Sequence, residues 1–115
     1  MLSERKLPRF GCSITCVIEK DGKELPAQIV DISGAGLAFI PDTSNSEISI
    51  NQGERLDLKI SMTEFSKYEH TLACEIQTAW SDGLLVAAEI AKIDETNYKR
   101  WFLMIHNVIF GGSDG

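Results

Sequence analysis

Between residues 12 and 92 the chain repeats one pattern: apolar side chains at every second position, in short runs separated by turn residues. That period belongs to half-buried β-strands, and it leaves no room for a helical bundle. Cys12, Ile14, Cys16 and Ile18 alternate with Ser13, Thr15, Val17 and Glu19. Asp21-Gly22 follows as a two-residue hairpin turn, because both residue types tolerate positive φ. A second strand is expected from Leu25 to Ile32, with Pro26 near its start, where a missing donor does least harm. Ser33-Gly34-Ala35-Gly36 breaks it, and a short third strand runs from Leu37 to Ile40. After a polar loop over residues 41–53, Leu56, Leu58, Ile60 and Met62 set a fourth strand. Leu72, Cys74, Ile76 and Trp80 share the parity of a fifth. Ser81-Asp82-Gly83 turns the chain into a sixth from Leu84 to Ile90.

Beyond Asp94 the period changes. Tyr98, Trp101, Phe102, Ile105 and Ile109 recur at helical spacing, with Asp94 placed as N-cap and Gly111-Gly112 as the stop. The simplest role for this stripe is a lid on the strands; a face for docking a partner is the alternative. Six short antiparallel strands and one terminal helix make a mainly β chain, a small six-stranded barrel closed by a C-terminal α-helix. At 115 residues this is a single domain. Residues 1–10 are expected as a mobile arm, 11–110 as the barrel with its helix, and 111–115 as a disordered tail.

Composition removes several functions. No apolar run reaches the ~18 residues of a membrane span. The opening MLSERKLPRF lacks the apolar core of a secretory signal, so the expected location is the cytoplasm. Cys12 and Cys16 would stand about 13 Å apart along one strand face, too far for a disulfide. With only His70 and His106 as imidazoles, no zinc spacing appears, and the three cysteines are expected as small buried hydrophobes. No metal site, no cofactor and no nucleophile–base pair or Walker loop is indicated, so the chain is not expected to be an enzyme. The net charge of −6 argues against a nucleic-acid binder. Such a binder would also need basic residues interleaved with exposed aromatics on the strands. Arg5, Lys6 and Arg9 against Glu4 nevertheless make the first nine residues +2, which leaves −8 on the rest. A short basic arm on an acidic body suits a small anionic ligand rather than a long polyanion.

Two segments carry the chemistry. Arg5 and Arg9 are four apart in an arm that Pro8 biases towards extended geometry, so both side chains point to one side. An arginine fork matches phosphate oxygens and the O6/N7 edge of guanine, and its flat face stacks on a base. In Asp31-Ile32-Ser33-Gly34-Ala35-Gly36, Asp31 can accept from the N1–H and N2–H edge of guanine. Ser33 can donate or accept, and Gly34 and Gly36 permit positive φ and close approach. Together they describe a guanine-nucleotide site. Each alone is commonplace: basic arms are usually just solvated, and Asp-x-Ser-x-x-Gly is often an ordinary turn. Their joint occurrence, in this order, is the specific signal.

The pair resembles the PilZ domain family, whose signature is Arg-x-x-x-Arg followed by Asp/Asn-x-Ser-x-x-Gly. Here the matching residues are Arg5 and Arg9, then Asp31, Ser33 and Gly36. Glu4-Arg5, Pro8-Arg9, Gly36-Leu37, Gly53-Glu54 and Trp80 also look like family positions. The aliphatic sixth strand departs from the family's usual Gly-x-x-Phe. The resemblance implies a PilZ-like split barrel and a receptor for cyclic di-GMP. Arg5 and Arg9 would grip phosphates and guanine edges, Asp31 and Ser33 would bond guanine, and Gly36 would keep the turn open. Trp80 would border a base, although its parity fits a core role equally. The implied output is control of motility, exopolysaccharide or pilus assembly through a downstream protein partner, without nucleic acid or membrane insertion. The alternative within the fold is a PilZ-like interaction module that ignores the nucleotide; intact Arg5, Arg9 and Asp31 speak against it.

Overall fold

The computed structural model describes residues 8–42, 49–63, 65, 70–82 and 84–110. Its strands are β1 (Phe10–Lys20), β2 (Lys23–Ile32), β3 (Gly36–Pro41), β4 (Arg55–Ser61), β5 (Thr71–Asp82) and β6 (Leu85–Lys92), followed by helix α1 (Glu95–Phe110). All pairings are antiparallel, and they close into a barrel in the order β1-β2-β3-β6-β5-β4. The mainly β, six-stranded barrel with one terminal helix is the architecture the alternation predicts. Of the expected arm and tail, residues 1–7 and 111–115 lie outside the described residues; Phe10 already belongs to β1.

Turn chemistry sets the register. Asp21 and Gly22 both take positive φ, 54° and 80°, as a tight hairpin between right-twisted strands requires. The last hairpin is tighter than the expected Ser81-Asp82-Gly83 turn, since Asp82 still pairs with Leu85. A second built turn precedes β4. Gly53 has φ 82°, and the Glu54 carboxylate accepts from the Asn51 amide at 2.8 Å. Thr78, buried in β5, braces this turn by donating its hydroxyl to Asn51 O at 2.6 Å and accepting from Glu54 N at 2.9 Å. Lys20 reaches the Glu54 carboxylate at 2.7 Å. That bond is the largest of the effects holding the carboxyl below its ordinary pKa.

Inward residues of every strand form one core: Ile14, Cys16 and Ile18 of β1, Leu25 and Ile29 of β2, Leu37 and Phe39 of β3, Leu56, Leu58 and Ile60 of β4, Leu72, Cys74 and Ile76 of β5, Val86 and Ala88 of β6. Helix α1 adds Trp101, Met104 and Ile105. The helix starts where Asp94 Oδ1 accepts from the Asn97 amide at 2.8 Å, the expected N-cap. It also finishes a ladder. Residues 71–74 of β5 extend past the registered pairing with β6, and helix side chains meet them instead. Ala73 N donates to Asn97 Oδ1 at 2.9 Å, and Arg100 Nη1 donates to Thr71 O at 2.7 Å.

The aromatic stripe read from the sequence divides. Trp101 and Ile105 face the barrel with Met104, whereas Tyr98, Phe102 and Ile109 are exposed. At 100° per residue these three lie about 60–100° around the helix from Trp101, a flank the barrel end does not cover. Tyr98 and Phe102 pack edge-on, their ring centroids 4.7 Å apart. Among the described residues no helix is long and apolar enough to cross a membrane. The cysteines are free thiols, Cys16 and Cys74 buried and Cys12 half-buried.

Candidate functional site

β2 ends in the signature segment, and its outward residue there is Asp31. Arg9, one residue ahead of β1, donates Nη1–H to Asp31 Oδ1 at 2.7 Å; both side chains are half-buried. The two halves of the sequence signature therefore meet, 22 residues apart in the chain. A guanidinium carries five N–H donors and a carboxylate about four acceptor sites, so one shared bond exhausts neither. Arg5 lies outside the described residues.

The turn after Asp31 is over-determined. Ser33 N donates to Gly36 O at 2.9 Å, and Ser33 Oγ accepts from Ala35 N at 3.2 Å and Gly36 N at 3.1 Å. The hydroxyl read from sequence as a guanine contact is thus engaged in holding the turn, and Ser33 is only 6 % exposed. Gly36 has a different cause from the one expected. Its φ is not positive; instead a Cβ there would stand 2.5 Å from the Ala88 carbonyl oxygen. The close approach that requires glycine is to the backbone of β6.

Register extends the site sideways. Gly11 pairs with Asp31, Asp31 with Ala38, Ala38 with Ala87, and Ala87 with Trp80. This single rung crosses five strands, and registered partners point to one face, here the outer one. Asp31 and Trp80 stand three strand spacings apart, about 14 Å along the sheet. Between them are only two methyl groups. Ala38 and Ala87 are each 3 % exposed yet lie outside the core cluster. A carboxylate–guanidinium pair at one side, two buried methyls between and an exposed indole at the other thus share one rung.

Trp80 reaches this rung through a fold irregularity. Its parity with Leu72 and Ile76 would turn it inward, but the β5–β6 register shifts between Thr78 and Trp80. That bulge turns Trp80 outward, 46 % exposed. The core reading of Trp80 is therefore corrected, and the residue stands on the same rung as Asp31. A bulge of one residue leaves no mark in an alternation pattern that ends there.

Cys12 adjoins the pair. Burial, and then the negative charge of Asp31, push its thiol up to about 11. Sequence reading missed two further contributors, the Ala38–Ala87 methyls and the indole of Trp101, which donates to Ser33 O at 2.9 Å. Among the described residues, no group of three or more His, Cys, Asp or Glu side chains is arranged to hold a metal ion.

Comparison with known proteins bears on the fold. Among solved structures, the chain is similar to the PilZ domain of YcgR from Escherichia coli, described with c-di-GMP. The TM-score is 0.73 at 12% identity, covering 94% of this chain and 93% of that one. It is also similar to the Bacillus subtilis inhibitor of motility MotI/DgrA, with TM-score 0.68 and 16% identity, over 94% of this chain and 53% of that one. The PilZ domain of CeSA from a cellulose-synthesizing bacterium gives TM-score 0.59 at 13% identity, covering 90% and 96%. No curated protein matches the sequence significantly. These likenesses show the fold. The profile of the PilZ domain matches residues 3–103, nearly the whole chain, and the chain belongs to the PilZ domain family.

Proposed function

We propose that this chain is a cytoplasmic receptor for cyclic di-GMP that binds the dinucleotide without altering it. The observation that carries the reading is the meeting of Arg9 and Asp31 on an outer rung that ends in Trp80. The Asp31 carboxylate accepts from the N1–H and N2–H edge of a guanine, and Arg9, joined by Arg5, meets the phosphates and the O6/N7 edge. Trp80 borders a base. Ser33 and Gly36 hold the turn that aims Asp31. Among the described residues the site supplies charge and shape, which suits a receptor that holds the dinucleotide.

The solved relatives named for motility inhibition and cellulose synthesis support an output of that kind, passed on through a downstream protein. Calorimetric titration with cyclic di-GMP tests the reading. The wild type should bind saturably, and Arg9→Ala and Asp31→Ala should each weaken binding by about 1–3 kcal/mol, taking bidentate guanine readout as the guide. GTP and cyclic di-AMP serve as base-identity controls. No heat with the wild type, or affinities unmoved by both substitutions, defeats it; a domain acting only through protein contacts would give that result.

A further inference from the structure

Trp101 is among the largest fully buried side chains and belongs to α1, not to any strand of the rung. Its Nε1–H donates to the Ser33 carbonyl at 2.9 Å, across 68 residues of sequence. An indole nitrogen is a donor only, and in an apolar interior it must find an acceptor or lose what water gave it. An inward-facing turn carbonyl has the complementary need. One bond meets both. The other side of the same turn is tied to the barrel, because Ile90 N donates to Ala35 O at 2.8 Å. The signature turn is thus clamped between β6 and the helix. It cannot shift against α1 without breaking a buried bond, and α1 cannot lift without orphaning the Ser33 carbonyl.

We propose that Trp101 is a positioning residue for the nucleotide site, and that helix docking and nucleotide binding are coupled through its bond to Ser33. The proposal rests on the cyclic di-GMP reading above. Asp31 stands two residues before Ser33, so the bond that fixes the Ser33 carbonyl also fixes how the chain leaves β2. That in turn fixes the direction from which the Asp31 carboxylate meets Arg9. Coupling of this kind is reciprocal: a ligand that tightens the turn tightens the helix by the same free energy.

The chain has two tryptophans, so the ¹⁵N-labelled protein shows two indole N–H signals, assigned with Trp80→Phe and Trp101→Phe. On titration with cyclic di-GMP, the Trp101 signal should move with the same saturation as that of Trp80, although Trp101 is fully buried. Trp101→Phe keeps an aromatic ring in the core but removes the donor, along with part of the ring system that fills this buried site. It should weaken binding about three- to tenfold, the equilibrium equivalent of one neutral hydrogen bond. Met104→Leu repacks the same helix face without touching that bond and should leave affinity unchanged. A Trp101 signal that stays fixed while that of Trp80 moves, or equal losses in both variants, overturns the coupling with binding intact. If the wild type binds no cyclic di-GMP, the functional reading falls instead. The mechanical link is then judged in the free protein by amide exchange at Ala35 and Gly36. Faster exchange in Trp101→Phe than in Met104→Leu upholds the link, and equal rates overturn it.

Discussion

At the scale of single residues, the signature turn shows how one motif serves packing and recognition together. Gly36 has no conformational need for glycine, only a spatial one: a methyl would press on the Ala88 carbonyl oxygen at 2.5 Å, a backbone atom that cannot rotate away. Gly36→Ala should therefore destabilise the fold by about 1–3 kcal/mol, the usual range for overpacking. Gly11→Ala, with no atom within 4 Å of the added carbon, should be nearly neutral. Urea denaturation of the two variants measures the contrast. The residue types at this turn were legible in the sequence, but their reasons were only partly so. Asp31 and Arg9 read as parts of one site, and the structure brings them together as an ion pair near matched ends of the first hairpin. Ser33 and Gly36 read as ligand-facing, whereas Ser33 holds the turn's own amides and Gly36 lies against another strand. A side chain's burial depends on what the distant β6 brings to it, and β6 begins some fifty residues later.

At the scale of elements, alternation located all six strands, and the change of period located the helix. Both signals are local, set by pleat and helical pitch. What alternation could not carry is the register shift between Thr78 and Trp80, where the bulge reverses the face of every later residue in β5. The division of the α1 stripe was hidden for a similar reason: the width of the buried face depends on the barrel end it covers. The bulge has a consequence for binding. Trp80→Ala removes the aromatic end of the rung without entering the core. It should weaken cyclic di-GMP by about 1–3 kcal/mol, the range for one base stacked on an aromatic side chain, and leave the thermal midpoint nearly unchanged. Trp80→Phe should restore most of the affinity. Parallel titration and thermal melts separate that outcome from a loss of fold.

At the scale of the whole molecule, the interior sets how stability responds to pH. Burial pushes Cys16 and Cys74 up to about 12, with the Asp57 charge adding to the second, against an ordinary 9.0. Cys12 rises to about 11. In each case the fold prefers the neutral thiol. The unfolded chain releases these protons once pH passes about 9 while the folded chain retains them, so stability is complete below that pH and declines towards 11–12. Denaturation midpoints measured between about pH 8 and 11 should fall, and less steeply in a Cys16→Ala, Cys74→Ala double variant. Thiolate is correspondingly scarce near neutrality, so alkylation of all three cysteines should be slow.

The side chains with which α1 completes β5 reach beyond this one fold. Sheets whose margins carry bare amides and carbonyls recruit strands from other molecules, the route by which β-proteins stack into fibres. Here Asn97 and Arg100 occupy hydrogen-bonding positions that an incoming strand would use, at Ala73 and Thr71. The terminal helix thereby covers part of the margin that β5 would otherwise hold out to an incoming strand.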